Sequence, residues 1–336
     1  MNVRVARAGA LSTLQDLGRI GYQRYGVVVG GTMDEQSHRA ANLLAGNAEH
    51  EATLEITLIG PRLVFDEHAL IALCGADLSP RVDDRDVPHD RPVLLRAGAR
   101  LEFGHRRSGC RAYLAIHGGY DVPAIMESKS TYLAGGFGGY GGRALRSDDV
   151  IAIGTGNAAR HYPSLERAQR ERNLPFVSPS LPLFERLPVA ATPTQVVRVV
   201  PGRQWDRFGA EAQERFLASP FTITPNSNRM GYRLQGAKLE PRERIELISE
   251  AVSFGAVQVP PDGQPIVLMA DCQTTGGYSK IAHVARVDLP VLAQMMPGQT
   301  IYFEMISLDE AQRAYVERER EFGELRRAVS GFRKER

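Results

Sequence analysis

The sequence predicts a mainly β protein with a few helices, organised as two related β-barrel-like domains in tandem. Three observations predict this. Short apolar runs bounded by turn residues recur in both halves, no β-α-β alternation appears, and the halves echo each other. The echo pairs VRVARAG (3–9) with VVRVVPG (196–202), and RAGARLEFG (96–104) with MPGQTIYFE (296–304). A chain of 336 residues also exceeds what one core ordinarily serves, so two domains are expected.

Taken in order, strands are expected at 3–5, 62–65, 69–74, 93–95, 100–103, 111–116 and 150–153. One helix interrupts them at 34–45. Thr32 and Glu35 fit a capping box, Ala40, Ala41, Leu43 and Leu44 supply an apolar face, and Gly46 closes the end. Residues 1–154 thus form the first domain. The stretch 155–194 holds six prolines and the charged patch LERAQRER, a short helix candidate, and reads as a connection. The second domain runs from 195 to 306, with a helix near 206–217. A charged helix and basic tail follow at 307–336, opened by a second capping box from Ser307 to Glu310.

Composition narrows the function classes. With 43% hydrophobic and 24% charged residues the chain is an ordinary globular protein. A net charge of +2 gives no reason to expect nucleic acid or an anionic membrane as partner. Cys74, Cys110 and Cys272 form no paired framework, and the N-terminus has no apolar leader, so a cytoplasmic location is expected. The Walker, zincin and nucleophile-elbow motifs are absent, and the eight histidines lack metal-ligand spacing, so no protein-bound metal is expected. The glycine-rich AGGFGGYGGRAL (134–145) lacks the following helix that a phosphate loop needs, and reads as a mobile hairpin or lid, or an anion cradle.

The densest polar loop is LMADCQTTGGYSK (268–280), where an apolar run gives way to donors and acceptors around a glycine pair. Only four lysines occur among 41 basic residues, so Lys280 stands out as a compact ammonium in an arginine-rich chain. It can neutralise a carboxylate, a phosphoryl group or a developing amide oxyanion, or it is a surface lysine on a strand. Gln273 and Thr274 can orient an amide, and Gly276 and Gly277 let the backbone approach; TTGG is equally a competent turn. Tyr278 either packs or contacts ligand. Asp34 is a general base or a helix-start acid. Arg19 and Arg229 are candidates to clamp a carboxylate or phosphate, although Arg19 can instead pair with Asp16. Glu55 and Glu250 adjoin apolar segments and are expected to bond these arginines. Ser128 offers a hydroxyl to substrate or closes a turn.

Six stretches together resemble a known family: residues 11–47, LEITLIGP (54–61), ESKST (127–131), NRMGYRL (228–234), 254–268 and DCQTTGGYSK (271–280). The chain is similar to the C subunit of bacterial ATP-dependent 5-oxoprolinase. That family includes allophanate hydrolase subunit 2, an antagonist of a sporulation-kinase inhibitor, and the carboxyltransferase region of urea amidolyase. The resemblance implies two cyclophilin-like β-barrel domains. By their own chemistry Lys280, Asp34, Gln273 and Thr274 are the candidates for catalysis. Arg19, Arg229, Tyr278, Gly276, Gly277, Glu250 and Ser128 would bind substrate. The partners it implies are the A subunit, the cyclophilin-like B subunit, a small amide substrate, and ATP with Mg²⁺ shared by the complex. The reaction implied is the opening of 5-oxo-L-proline to L-glutamate. Two alternatives accompany it: carboxyl transfer to urea from biotin on a separate carrier, or a non-enzymatic antagonist of a kinase inhibitor that is itself B-subunit-like. The chain departs from the family pattern at Ser279 (for Pro), at ESKST (for GSRST) and at His89 (for Trp).

Overall fold

The computed structural model describes residues 1–155, 163–172, 174–179, 192–243 and 247–334. The chain divides into two compact units. The first comprises Met1–Gly18, Asp34–Val189 and Arg320–Arg336, and the second Arg19–Met33 and Ala190–Glu319. The segment 19–33 therefore belongs with the second unit, although it lies early in the chain.

The first unit contains β1 (Asn2–Arg7), β2 (Leu11–Gln15), α1 (Glu35–Ala45), β3 (Thr53–Thr57), β4 (Arg62–Phe65) and β5 (Ala69–Asp77). After them come β6 (Pro80–Val82), β7 (Arg85–Asp86), β8 (Pro92–Leu95), β9 (Arg100–Phe103), β10 (Ser108–Ile116) and β11 (Val150–Ala152). Two further elements, α2 (Pro163–Arg172) and β12 (Phe176–Val177), arise within the proline-rich stretch. β12 pairs with β8, so this stretch adds a strand to the first unit as well as connecting. The strands form two six-stranded sheets, ordered β11-β1-β4-β9-β6-β7 and β12-β8-β5-β10-β3-β2.

β5 is buried at all nine positions. Ile71 and Leu73 face the main core, whereas Ala72 and Cys74 face α1. A strand covered on both faces reads as a continuous apolar run, which is why the sequence reveals it readily. β2 and β3 carry Ser12, Thr13, Gln15, Thr53 and Glu55, all buried, and this polar content hides them from a hydrophobicity reading. The cap of α1 corrects the expected one. Asp34, not Thr32, is the N-cap, its carboxylate accepting the Ser37 N–H. Both residue types cap well, so sequence leaves the start ambiguous.

The second unit is a closed barrel. It contains β13 (Thr194–Pro201), α3 (Ala210–Ala218), β14 (Phe221–Ile223), β15 (Gly231–Gly236), β16 (Glu250–Ala251) and β17 (Ala256–Val259). β18 (Ile266–Leu268), β19 (Thr275–Gly276), β20 (Ser279–Val284), α4 (Leu289–Ala293) and β21 (Thr300–Met305) follow, and α5 (Leu308–Lys334) begins in the second unit and from Arg320 on belongs to the first. The barrel order is β13-β20-β17-β18-β15-β14-β21, closed by parallel pairing of β13 with β21. Phe208, Phe216, Phe221 and Phe303 fill it with Val197, Val199, Val257 and Val267. Outside the barrel, β16 and β19 form a separate two-stranded ribbon. The mainly β expectation holds in both units, with the closed barrel in the second. α5 opens with the expected box: the Ser307 N–H donates to Glu310 Oε2 at 2.8 Å, and the Glu310 N–H to Ser307 Oγ at 3.2 Å. Among the described residues no helix is long and apolar enough to cross a membrane.

The glycine-rich loop is tightly packed. Tyr132 and Phe137 meet edge to face at 5.5 Å, and the Gly142 N–H donates to Gly138 O at 2.8 Å.

Candidate functional site

The QTTGGYSK segment builds its site from two pairs of facing residues in the second unit. On the barrel wall, Gln258 of β17 lies opposite Lys280 of β20. Residues directly opposite in an antiparallel pair project from the same face. On the ribbon, Glu250 of β16 lies opposite Gly276 of β19. The ribbon covers that face of the wall: Lys280 meets Glu250, and Gln258 meets Gly276.

Lys280 Nζ lies 2.5 Å from Glu250 Oε1, with the two side chains 12% and 24% exposed. Gln204 holds both partners. Its Nε2 donates to the same Glu250 oxygen at 2.8 Å, and its Oε1 accepts the Lys280 backbone N–H at 2.9 Å. Arg203 donates to Glu250 Oε2 at 2.7 Å. Gly202 permits this clasp, because a Cβ there would lie 2.4 Å from the Lys280 carbonyl oxygen. The Lys280 ammonium, then the Gln204 amide, hold the Glu250 carboxyl below its usual value.

A depressed carboxyl contributes stability above the unfolded value of about 4.3, and loses it as pH falls through the lower folded value. The melting-temperature difference between wild type and Glu250→Gln is therefore expected to be constant from about pH 5 upward and to shrink toward zero below about pH 4. Thermal melts across that range check this.

Gln258 is 1% exposed, and its Nε2 has no hydrogen-bond partner among the described residues. A Cβ on Gly276 would stand 2.7 Å from that nitrogen and 3.4 Å from Gln273 Nε2. Glycine at this position thus lets the ribbon backbone pack against two carboxamides, where any side chain would press on Gln258. Gly277 packs close to the Leu247 carbonyl oxygen, 3.2 Å from where its Cβ would be. Thr274 contributes its carbonyl to the Val252 N–H at 3.1 Å, and Tyr278 stands 46% exposed. Burial, then Asp271, pushes the Cys272 thiol up to about 11, which disfavours the thiolate form that a nucleophile needs.

The other sequence candidates lie elsewhere. Arg229 does not present a free clamp. Its Nε and Nη2 reach Asp271 at 2.8 and 3.0 Å, and Nη2 also donates to Gly31 O at 2.5 Å. Burial explains this, because a guanidinium out of water requires a carboxylate. Arg19 is fully buried beside the same cluster: a Cβ at Gly30 would lie 3.7 Å from its Nη1 and 3.6 Å from Asp271 Oδ1. Glu250 bonds Arg203 rather than either expected arginine, and Glu55 accepts from Tyr113 Oη at 2.9 Å.

Asp34 and Ser128 lie in the first unit. Asp34 accepts the Ser37 N–H at 2.9 Å and the Ser37 hydroxyl at 2.6 Å, the contacts of a helix cap. Ser128 Oγ donates to Asp16 Oδ1 at 2.7 Å, Ser130 Oγ donates to the same oxygen at 2.5 Å, and the Lys129 N–H reaches Oδ2 at 2.5 Å. Asp16 thus ties the β2 end to the ESKST turn, and the Ser128 hydroxyl is engaged in that tie. Ser128→Ala is expected to lower stability by about 1–3 kcal/mol, with any activity per folded molecule unchanged. Denaturant titration beside an active-fraction assay tests both halves. The departures from the family pattern are accommodated too: Lys129 Nζ bonds Glu51 Oε2 and Tyr120 O, and His89 faces Asp77 at 3.4 Å.

Gln204 and Gln258, which the structure brings to Lys280 and Gly276, are not among the candidates read from the sequence. The signal for Gln258 was an amide inside the apolar strand AVQV; Gln204 sits in a turn that carries no such mark.

Comparison with known proteins supplies the family. The model of the carboxyltransferase domain, subdomains A and B, matches residues 25–305. The chain belongs to this carboxyltransferase-domain family. It is 39% identical to the 5-oxoprolinase C subunit of Escherichia coli over 96% of this chain and 97% of that protein. It is 36% identical to the 5-oxoprolinase C subunit of Haemophilus influenzae over 95% of this chain and 96% of that protein. Among solved structures, the K. lactis urea amidolyase superposes with a TM-score of 0.85 at 30% identity, covering 96% of this chain and 20% of that one. The chain therefore spans nearly the full length of the bacterial proteins and about a fifth of the amidolyase.

Proposed function

We propose that this chain is the C subunit of a 5-oxoprolinase-type complex and that the Lys280 cluster binds the cyclic amide. The observation that carries this is a set of donors around one covered face: the half-buried Lys280 ammonium with the buried carboxamide of Gln258 and the half-buried carboxamide of Gln273 beside Gly276. Such a set suits an oxygen acceptor that gains negative charge when an amide is activated. Glu250 and Gln204 fix the ammonium, so that its charge needs little reorganisation during reaction. Hydrolysis adds the elements of water across the ring C–N bond, the hydroxyl to the carbonyl carbon and the proton to nitrogen, giving glutamate. Near full-length coverage of the bacterial C subunits supports this reading.

ATP with Mg²⁺ supplies the activation when bound in the complex. Both Glu250 oxygens are engaged by Lys280, Gln204 and Arg203, so this cluster has no free carboxylate for Mg²⁺. We therefore assign the nucleotide to the assembled complex, with its A and B subunits, rather than to these residues. The test is glutamate release from 5-oxoproline by this chain combined with its candidate A and B subunits. Release that needs ATP and stops when this chain is omitted supports the proposal; no release from folded, assembled subunits sinks it.

A second reading, carboxyl transfer from carrier-bound biotin to a urea-like amide, is favoured by the TM-score of 0.85 against urea amidolyase. Urea presents the same carbonyl acceptor. Urea-dependent discharge of a carboxylated biotin carrier, and capture of a biotinylated partner, distinguish it.

A further inference from the structure

The side chain of Gln258 is an anomaly for a folded barrel. A buried amide nitrogen without a partner is destabilising, and native proteins leave few such groups without a reason. Nε2 has no hydrogen-bond partner among the described residues, in a side chain 1% exposed. Gln258 is also unusual for its strand, since Ala256, Val257 and Val259 around it are all buried hydrophobics. An apolar residue would satisfy this position at no electrostatic cost. The neighbour that would otherwise press on Nε2 is a glycine: a methyl group at Gly276 would stand 2.7 Å away. Polar strand and bare ribbon thus leave a buried donor under Gly276, on the face shared with Lys280, which lies directly opposite in register.

We propose that Gln258 is a substrate-binding and specificity-determining residue, whose Nε2–H₂ donates to the carbonyl oxygen of a small amide. Lys280 supplies the charge at the same face, and Gly276 brings no side chain against the amide. The inference rests on the amide-binding reading above and names the group that reads the carbonyl. It predicts discrimination in favour of ligands with that oxygen, because a ligand lacking it leaves the buried amide unsatisfied. The ring carbonyl distinguishes 5-oxoproline from proline, which retains the carboxylate and ring but offers no such acceptor.

The experiment is calorimetric titration of the full chain and its Gln258→Met variant with 5-oxo-L-proline, L-proline and urea, with thermal melts of both proteins. Methionine preserves length and volume while removing the amide. The expected result is about tenfold weaker 5-oxoproline binding by the variant, the loss of one hydrogen bond to a buried donor. Any proline binding should be equal in the two proteins, and the variant's melting temperature should be equal or higher. Equal 5-oxoproline affinity in both proteins overturns the role of Gln258 while leaving the function proposed above intact. A lower melting temperature for the variant also overturns it, since the amide would then be satisfied within the fold. Binding of urea alone, weakened in the variant, supports Gln258 as the carbonyl-reading group and removes the lactam assignment. Binding of neither amide by the wild-type chain overturns the inference.

Discussion

Lys280→Ala is expected to lower ATP-dependent glutamate release by the reconstituted complex by about 10²–10³-fold, mostly in kcat, as for loss of one preorganised electrostatic donor. The ammonium sits at a face covered by the ribbon and is held by Glu250 at 2.5 Å. Its effect should therefore be concentrated in the state where charge develops on the amide oxygen. Lys280→Arg is expected to rescue little. A planar guanidinium presents its donors in a fixed fork and cannot occupy the point between Glu250 Oε1 and the ligand face. Some stability above about pH 5 should be lost too, because Lys280 is the first of the groups that hold the Glu250 carboxyl low, while Gln204 and Arg203 keep the carboxylate partnered. Steady-state kinetics beside thermal melts separate the two effects. A variant with normal kcat would remove Lys280 from the chemistry. A tight complex whose assembly ignores Lys280, without turnover, would favour a binding antagonist instead.

Arg229→Leu is expected to destabilise the second unit by about 3–5 kcal/mol, the range for breaking a buried ion pair by removing one partner. Arg229 and Asp271 are 7% and 6% exposed and meet through two hydrogen bonds. The substitution leaves the Asp271 carboxylate buried beside Gly30 and strips the Gly31 carbonyl of a donor. The double variant Arg229→Leu/Asp271→Leu should recover part of the loss, since neither charge then remains unpaired. Urea unfolding of the two single variants, the double variant and wild type gives the coupling directly. Near-additive losses would show that the pair contributes little beyond its separate packing. The same substitution separates two readings of Arg229: a substrate clamp would lower affinity at full stability.

The residues that sequence placed well are those whose role depends on neighbours in the chain. Ala40, Ala41, Leu43 and Leu44 mark α1, and Ser307 with Glu310 marks the start of α5, because both patterns are complete within a few helical turns. Lys280 and Gly276 stand out as candidates for the same reason: they share one loop of unusual composition with Gln273 and Gly277. Residues whose role depends on distant partners were not legible. Arg229 looks like an anion clamp until Asp271, 42 residues on, is seen to fill it. Ser128 looks like a substrate hydroxyl until Asp16 is found at 2.7 Å, 112 residues away in sequence. Gln204 and Gln258 gain meaning only when the barrel brings them to Lys280, 76 residues from one and across the sheet from the other. The two-residue strands β16 and β19 are too short to leave a periodic signal, yet they cover the site.

The most direct measurement follows from the scarcity of lysine. With only Lys129, Lys238, Lys280 and Lys334 in the chain, selective ¹⁵Nζ labelling gives four side-chain signals, and Lys280→Arg identifies the relevant one. Titrating 5-oxoproline into the complex that releases glutamate should move the Lys280 signal saturably, while those of Lys129, Lys238 and Lys334 stay in place. A Lys280 signal that does not move while the complex turns over would contradict the account and remove the QTTGGYSK face from the reaction.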